Sequence, residues 1–188
     1  MSYVKTLTLE HPKTVSFLRD ITIVILSSIL IGLFGKVAIP LPFSPIPIAT
    51  QPTLILLLSV LLGRKRAVAA VFAFLVQGAM GMPVFAQGLG GIAVLLGPRG
   101  GYLIGYLAAA FAVSYIIEKC KEKTLLNASL AMAAGNLVIY LCGASYLSTF
   151  LGLQKALLVG VAPFIVGDLI KLAAGIKFLQ WTGWNSKG

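Results

Sequence analysis

The chain has 188 residues, of which 59% are apolar and 11% charged, with a mean hydropathy of +0.98. A soluble domain of this length cannot hide so much apolar surface in one core, so composition excludes an ordinary water-soluble fold. Fifteen Lys and Arg against five Asp and Glu give a net charge of +10, but the basic residues sit in short clusters between apolar runs. That pattern belongs to positive-inside loops and not to a nucleic-acid surface, so a lipid bilayer is expected as a partner and nucleic acid is not.

Crossing about 30 Å of hydrocarbon takes roughly 20 apolar residues. The first such run, Ile21 to Ile39, is too long for the apolar core of a cleavable signal and reads as a retained helix over about Val15–Val37. Ile39-Pro-Leu-Pro-Phe-Ser-Pro-Ile-Pro47 follows, too rich in proline to be helical, and is expected to form a stiff cap. A second helix is predicted over Gln51–Leu62, ending at the basic stub Gly63-Arg-Lys-Arg66, and a third over Ala67–Met80. The segment from Gly81 to Gly101 is dense in glycine, a poor helix but a good close-fitting loop. Further helices are predicted over Tyr102–Ile117, Leu125–Ala144 and, opening at Pro163, as far as Gln180. Between the last two, Ser145–Gly160 is less apolar and has room for a short interfacial helix; Trp181 and Trp184 suit a membrane interface.

The expected architecture is therefore an all-α membrane protein of six transmembrane helices, one domain over residues 1–188. Its orientation follows from the basic residues. Lys5, Lys13, Arg19, Arg64, Lys65, Arg66, Lys119, Lys121, Lys123, Lys177 and Lys187 fall on one side, against Lys36, Arg99 and Lys155 on the other. Both termini are then cytoplasmic, and the proline cap, the glycine loop and Ser145–Gly160 lie outside.

Several chemistries are excluded. The chain contains no Gly-x-x-x-x-Gly-Lys-Ser/Thr phosphate loop, so ATP hydrolysis by that route is absent. The only histidine, His11, precedes the first helix, which argues against an intramembrane serine or zinc hydrolase. Cys120 and Cys142 lack metal-ligand spacing and read as reduced and unpaired, so no metal and no catalytic group is expected.

The polar residues that remain inside the apolar runs are the candidates for binding. Asp168 and Lys171, three apart on one face of the last helix, either close on each other as a structural pair or face a pocket open to the outside. Asn136 and Tyr140 share a face of the preceding helix, as interhelical hydrogen-bonding groups or as ligand contacts. Gln51 is either a helix-start residue or a ligand amide. Arg99 is either a solvated loop charge or a screen for an incoming carboxylate. Phe85 either packs its loop or covers an apolar ring at a pocket mouth. Ser28 and Gly32 form a small-xxx-small element on the first helix, spacing that permits close approach of another helix.

Taken in order, Pro47-Ile-Ala-Thr-Gln51, Gly81-Met-Pro-Val-Phe-Ala86, Gly90-Gly91, Gly97-Pro-Arg-Gly-Gly-Tyr102 and Gly167-Asp-Leu-Ile-Lys171 resemble the BioY family over about Val15 to Gln180. Members of that family are biotin-specific substrate-binding (S) subunits of energy-coupling factor (ECF) transporters. The resemblance implies six membrane helices and high-affinity capture of biotin as transported substrate, with no cofactor. It also implies docking on a module of one transmembrane coupling subunit and two cytoplasmic ATPases. Gln51, Asp168 and Lys171 fall on its motif positions. Ser28 and Gly32 stand where the family carries an Ala-x-x-x-Ala docking element, and Arg99 stands where a small residue such as Thr is expected. Chemically, Asp168 suits the ureido N–H groups of biotin, Lys171 an oxygen, and Phe85 the sulfur ring. The readings left beside it are an autonomous small-solute permease and an S subunit for another small vitamin.

Overall fold

The structure, a computed structural model, describes residues 13–184. The readings made for Lys5, His11 and Lys187 lie outside these residues. Among them the chain forms α1 (Lys13–Gly35), a ribbon of β1 (Ala38–Leu41) and β2 (Ser44–Ala49), α2 (Gln51–Leu62) and α3 (Arg64–Ala79). A 3-10 turn (Ala86–Gly88) and the short α4 (Ile92–Leu96) lead into α5 (Gly100–Lys119), α6 (Leu125–Leu151), α7 (Leu153–Gly160) and α8 (Ala162–Trp181).

Four stretches are long and apolar enough to cross a membrane: Val15–Gly35, Gly100–Lys119, Leu125–Leu151 and the combined Leu153–Trp181. α2 is apolar but shorter. The outward faces of α1 and α8 are mostly apolar, broken by polar side chains only toward the Arg19–Thr22 and Lys177–Gln180 ends; Leu26 is 61% exposed and Val166 68%. Water would not tolerate such continuous stripes, whereas lipid is their natural solvent. α5 is the central post, with 11 of its 20 residues buried, and it packs most closely on α6. That approach depends on small residues, because burial against lipid supplies little net drive and van der Waals fit must serve instead. A Cβ on Gly143 would collide with the ring of Tyr102, and one on Gly105 would come within 3.2 Å of the Ile139 Cα.

Four sequence expectations are corrected. The proline cap is ordered and non-helical, as expected, but it is a β-ribbon, so the fold is not purely helical. Ala38 pairs with Ala49 and Ile39 with Ile48, Pro42 and Phe43 make the turn, and each strand keeps a free edge that accommodates prolines without N–H groups. The basic stub is helical too. Gly63, at φ 74°, makes the only break, and Arg64 to Arg66 form the first turn of α3. Cations there oppose the helix dipole, and Glu118 compensates by accepting the Arg64 backbone N–H at 3.0 Å. α6 continues past the expected end at Ala144 to Leu151 and stops at Gly152, φ 79°; within it the Ser148 and Thr149 hydroxyls each donate to the carbonyl three residues back (2.7 Å for both).

The fourth correction concerns Ser28 and Gly32, which face inward. Ser28 is fully buried; its hydroxyl accepts from the Gln77 amide at 2.9 Å and donates to the Ile25 carbonyl at 2.8 Å. A Cβ on Gly32 would press on Val84 at 3.0 Å. In this structure the small-residue element therefore brings α1 against α3 and the glycine-rich segment of its own chain. Cys120 and Cys142 are unpaired. Trp181 is 83% exposed at the end of α8, while Trp184 folds back onto the core.

Candidate functional site

Beneath the β-ribbon lie two narrow, adjoining clefts that share a wall of Ile46, Pro47, Ala49, Tyr102 and Tyr106. The first, with about 30 Å³ of free space, is lined also by Gln51, Phe85 and Arg99. The second, with about 40 Å³, is lined by Asn136, Tyr140, Phe164, Asp168 and Lys171. Every binding residue expected from sequence lines one of the two; Ser28 and Gly32 line neither.

α8 and α6 build the second cleft. Asp168 Oδ1 accepts from the Lys171 ammonium at 2.9 Å, and the same ammonium donates to the Ala49 carbonyl at 2.9 Å. Oδ2 accepts the Tyr140 hydroxyl in a short hydrogen bond and the Asn136 amide at a long 3.4 Å. The Asp–Lys pair thus closes on itself and also borders the cleft. An ammonium has three donors, of which two are used here, and a carboxylate has room for further N–H groups. The side chains of both residues are largely buried, at 11% and 19% exposure, so each charge depends on the other inside the bundle.

The first cleft is defined by polar atoms without partners. The Gln51 amide nitrogen donates to the Val84 carbonyl at 2.8 Å and the Ile31 carbonyl at 3.1 Å. Two carbonyl partners fix the amide orientation and leave Oε1 facing the other way, buried and without a donor. Arg99 is not a solvated loop charge. Its Nε donates to the Pro45 carbonyl and one terminal nitrogen to Gln87 Oε1, both at 2.8 Å, while its other terminal nitrogen is buried and unpartnered. Burial lowers the pKa of this guanidinium from its ordinary value. Gln87 holds a left-handed backbone, φ 67°, unusual for a residue other than glycine, and its side chain reaches Arg99. Phe85 is buried and sets its ring edge-on to Phe74, with centroids 5.5 Å apart. It forms an apolar wall of the cleft and packs its loop at the same time.

Sequence reasoning missed Tyr102 and Tyr106, which divide the clefts. The Tyr102 hydroxyl donates to the Gly160 carbonyl at 2.8 Å, and the Tyr106 hydroxyl has no hydrogen-bond partner among the described residues. The signal was present: polar-tipped residues at i and i+4 of an apolar helix, the same pattern that marked Asn136 and Tyr140.

A model of the BioY family matches residues 5–183. The chain belongs to the BioY family. This BioY chain is 34% identical over 158 residues to a probable biotin transporter BioY of Pyrococcus horikoshii, covering 84% of this chain and 92% of that protein. It is 38% identical over 135 residues to the biotin transporter BioY of Thermotoga maritima, covering 71% and 79% respectively. Among solved structures it is similar to the S-component for biotin from an ECF-type ABC transporter. The TM-score is 0.82 at 28% identity, over 92% of this chain and 94% of the other.

The ribbon is fastened on two sides of the clefts. Arg99 holds Pro45 to the glycine-rich segment, and the Ser44 hydroxyl donates to the Val159 carbonyl of α7 at 2.7 Å. A ligand reaching the clefts from this end must displace the ribbon or the glycine-rich segment. Arg99→Ala in this BioY chain is therefore expected to broaden the distance distribution between spin labels on Phe43 and Thr149. Phe43 is exposed at the ribbon turn, whereas a label on Ser44 would break its own fastening. With Arg99 present, ligand should narrow the distribution; an unchanged distribution with binding verified on the same sample would count against a gate at the ribbon.

Proposed function

We propose that this BioY chain captures biotin from outside the cell as the S component of an ECF transporter. The observation that carries this reading is the pairing of unpartnered Gln51 Oε1 and Arg99 Nη1 in one cleft, beside a neighbour that holds Asp168 and Lys171. An orphaned acceptor and an orphaned donor each cost stability until a ligand satisfies them. Biotin offers two ureido N–H donors, a ureido carbonyl, an apolar sulfur ring and a carboxylate. Asp168 takes ureido N–H groups and Lys171 an oxygen. Asn136 and Tyr140 orient the carboxylate of Asp168, Phe85 borders the ring, and Arg99 meets the acid end. Gln51 supplies a further acceptor. Biotin is cargo in this scheme, not a cofactor, and the protein is a transporter component and not an enzyme.

α1, α2, α3, α5, α6 and α8 are the six membrane crossings of a single transmembrane domain in a prokaryotic plasma membrane. Arg19, Arg64, Lys65, Arg66, Lys119, Lys121 and Lys123 then lie at the cytoplasmic end with both termini, following the positive-inside rule. The ribbon and the clefts face outward. Lacking a phosphate loop, the chain depends on a coupling subunit and two ATPases for energy.

Reconstituted uptake tests this. Liposomes holding the complete transporter should accumulate labelled biotin when ATP is supplied, and those holding this chain alone should bind biotin without accumulating it. Accumulation by the chain alone would make it an autonomous permease.

A further inference from the structure

Away from the clefts, at the end where α3 begins and α5 finishes, a groove runs between these two helices. Arg64 and Lys65 stand at its mouth, and Val68, Ala69, Phe72, Leu107 and Phe111 form its walls. It is broad, about 470 Å³, and open along its side, with Phe72 58% and Phe111 50% exposed. From Arg64 to Phe72 the lined stretch of α3 rises roughly 12 Å, somewhat less than half a hydrocarbon core of ~30 Å. The walls carry no polar side chain along that depth.

The mouth is organised for negative charge. Arg64 is held with its Nε 3.3 Å from Glu118 and its guanidinium 5.7 Å from the stacked rings of Phe111 and Tyr115. That pair uses the local carboxylate. Lys65 is exposed, and among the described residues no carboxylate pairs with it. Lys119 lies over the Tyr115 ring at 5.7 Å, adding a further cation to this end.

The geometry points to a binding site for an anionic phospholipid, its headgroup between Lys65 and Arg64 and one acyl chain against Phe72, Leu107 and Phe111. A cationic mouth over a wholly apolar trough fits an amphiphile with a negative head, and it does not fit a free anion or a soluble peptide. The inference rests on the membrane placement proposed above but not on the identity of the transported ligand.

The test uses the full chain, purified from bilayers of equal phosphatidylglycerol and phosphatidylcholine with identical acyl chains, with retained lipid read by native mass spectrometry. Phosphatidylglycerol should be retained over phosphatidylcholine by roughly fivefold, the factor expected from one basic residue near an anionic head. Lys65→Ala should remove most of that preference, and Ala69→Trp, which fills the trough, should lower retention of both lipids. Biotin binding measured on the same samples should stay unchanged, which separates this site from the clefts and a folded variant from a damaged one. Equal retention of the two lipids, or retention indifferent to both variants, would overturn the proposal. So would a result in which Ala69→Trp spares lipid but abolishes co-purification with a transmembrane partner, since the groove would then be a protein interface.

Discussion

Asp168→Ala is expected to weaken biotin binding by roughly 2–5 kcal/mol, because it removes one member of a buried charged pair and strands the other. The carboxylate is the hub of its cluster, taking Lys171 on one oxygen and Tyr140 with Asn136 on the other. Without it the Lys171 ammonium keeps only the Ala49 carbonyl among its described partners. Lys171→Ala should be similarly costly, since it leaves a carboxylate buried with only neutral donors. Tyr140→Phe removes one neutral donor and should lose less, about 0.5–1.5 kcal/mol. Calorimetry on detergent-purified variants, with helix content followed by circular dichroism, separates loss of a ligand contact from loss of fold. Near-parental affinity in both the Asp168 and Lys171 variants would leave the pair a purely structural one.

Ser28→Leu combined with Gly32→Leu should impair the isolated chain itself. Gly32 meets Val84, and the Val84 carbonyl accepts from the Gln51 amide that borders the first cleft. Ser28 receives the Gln77 amide, which would be left without that acceptor. Larger side chains would push α1 off α3 and carry this disturbance to Gln51. We therefore expect a lower thermal midpoint and weaker biotin binding without any partner present, at a cost of about 1–3 kcal/mol typical of an overfilled interior. Unaltered binding with uptake alone abolished would instead return these residues to the role of a docking surface.

The limits of reading this fold from sequence have physical causes. Proline density from Pro40 to Pro47 told that the segment is ordered and not helical. It did not tell that Ala38 pairs with Ala49, since strand register depends on partners distant along the chain. The helix end at Gly63 was visible as a glycine, whereas the end at Gly152 was not read as one; both adopt positive φ. The extension of α6 through Ser145 to Leu151 was hidden because hydroxyl side chains look like loop residues until their bonds to the preceding turn are seen. For Ser28 and Gly32, spacing identified a face that permits close approach. It did not identify what approaches, because lipid, a partner and a neighbouring helix are all apolar.

The candidate site was more legible than the fold around it. Polar residues inside apolar helices must face something polar, which singled out the pair Asp168 and Lys171 and, separately, Asn136 and Tyr140; the structure joins the two pairs through Asp168. Gln51 and Phe85 were each left with a structural and a binding reading, and both are buried under the ribbon. Tyr106 escaped although it stands four residues after Tyr102 on one helical face, the spacing that marked Asn136 and Tyr140. Only its position between the clefts, with a hydroxyl lacking a described partner, shows another use. Arg99 reads as a loop charge until its two bonds to Pro45 and Gln87 are traced.

The central claim is capture of one vitamin by these clefts, and direct binding tests it most simply. The purified chain, with no coupling subunit or ATPase present, is titrated calorimetrically with a panel of small vitamins that includes biotin. We expect saturable, equimolar binding of biotin alone, lost in Asp168→Ala. Tighter binding of a different vitamin, or no binding of biotin by a chain of intact helix content, would contradict the account.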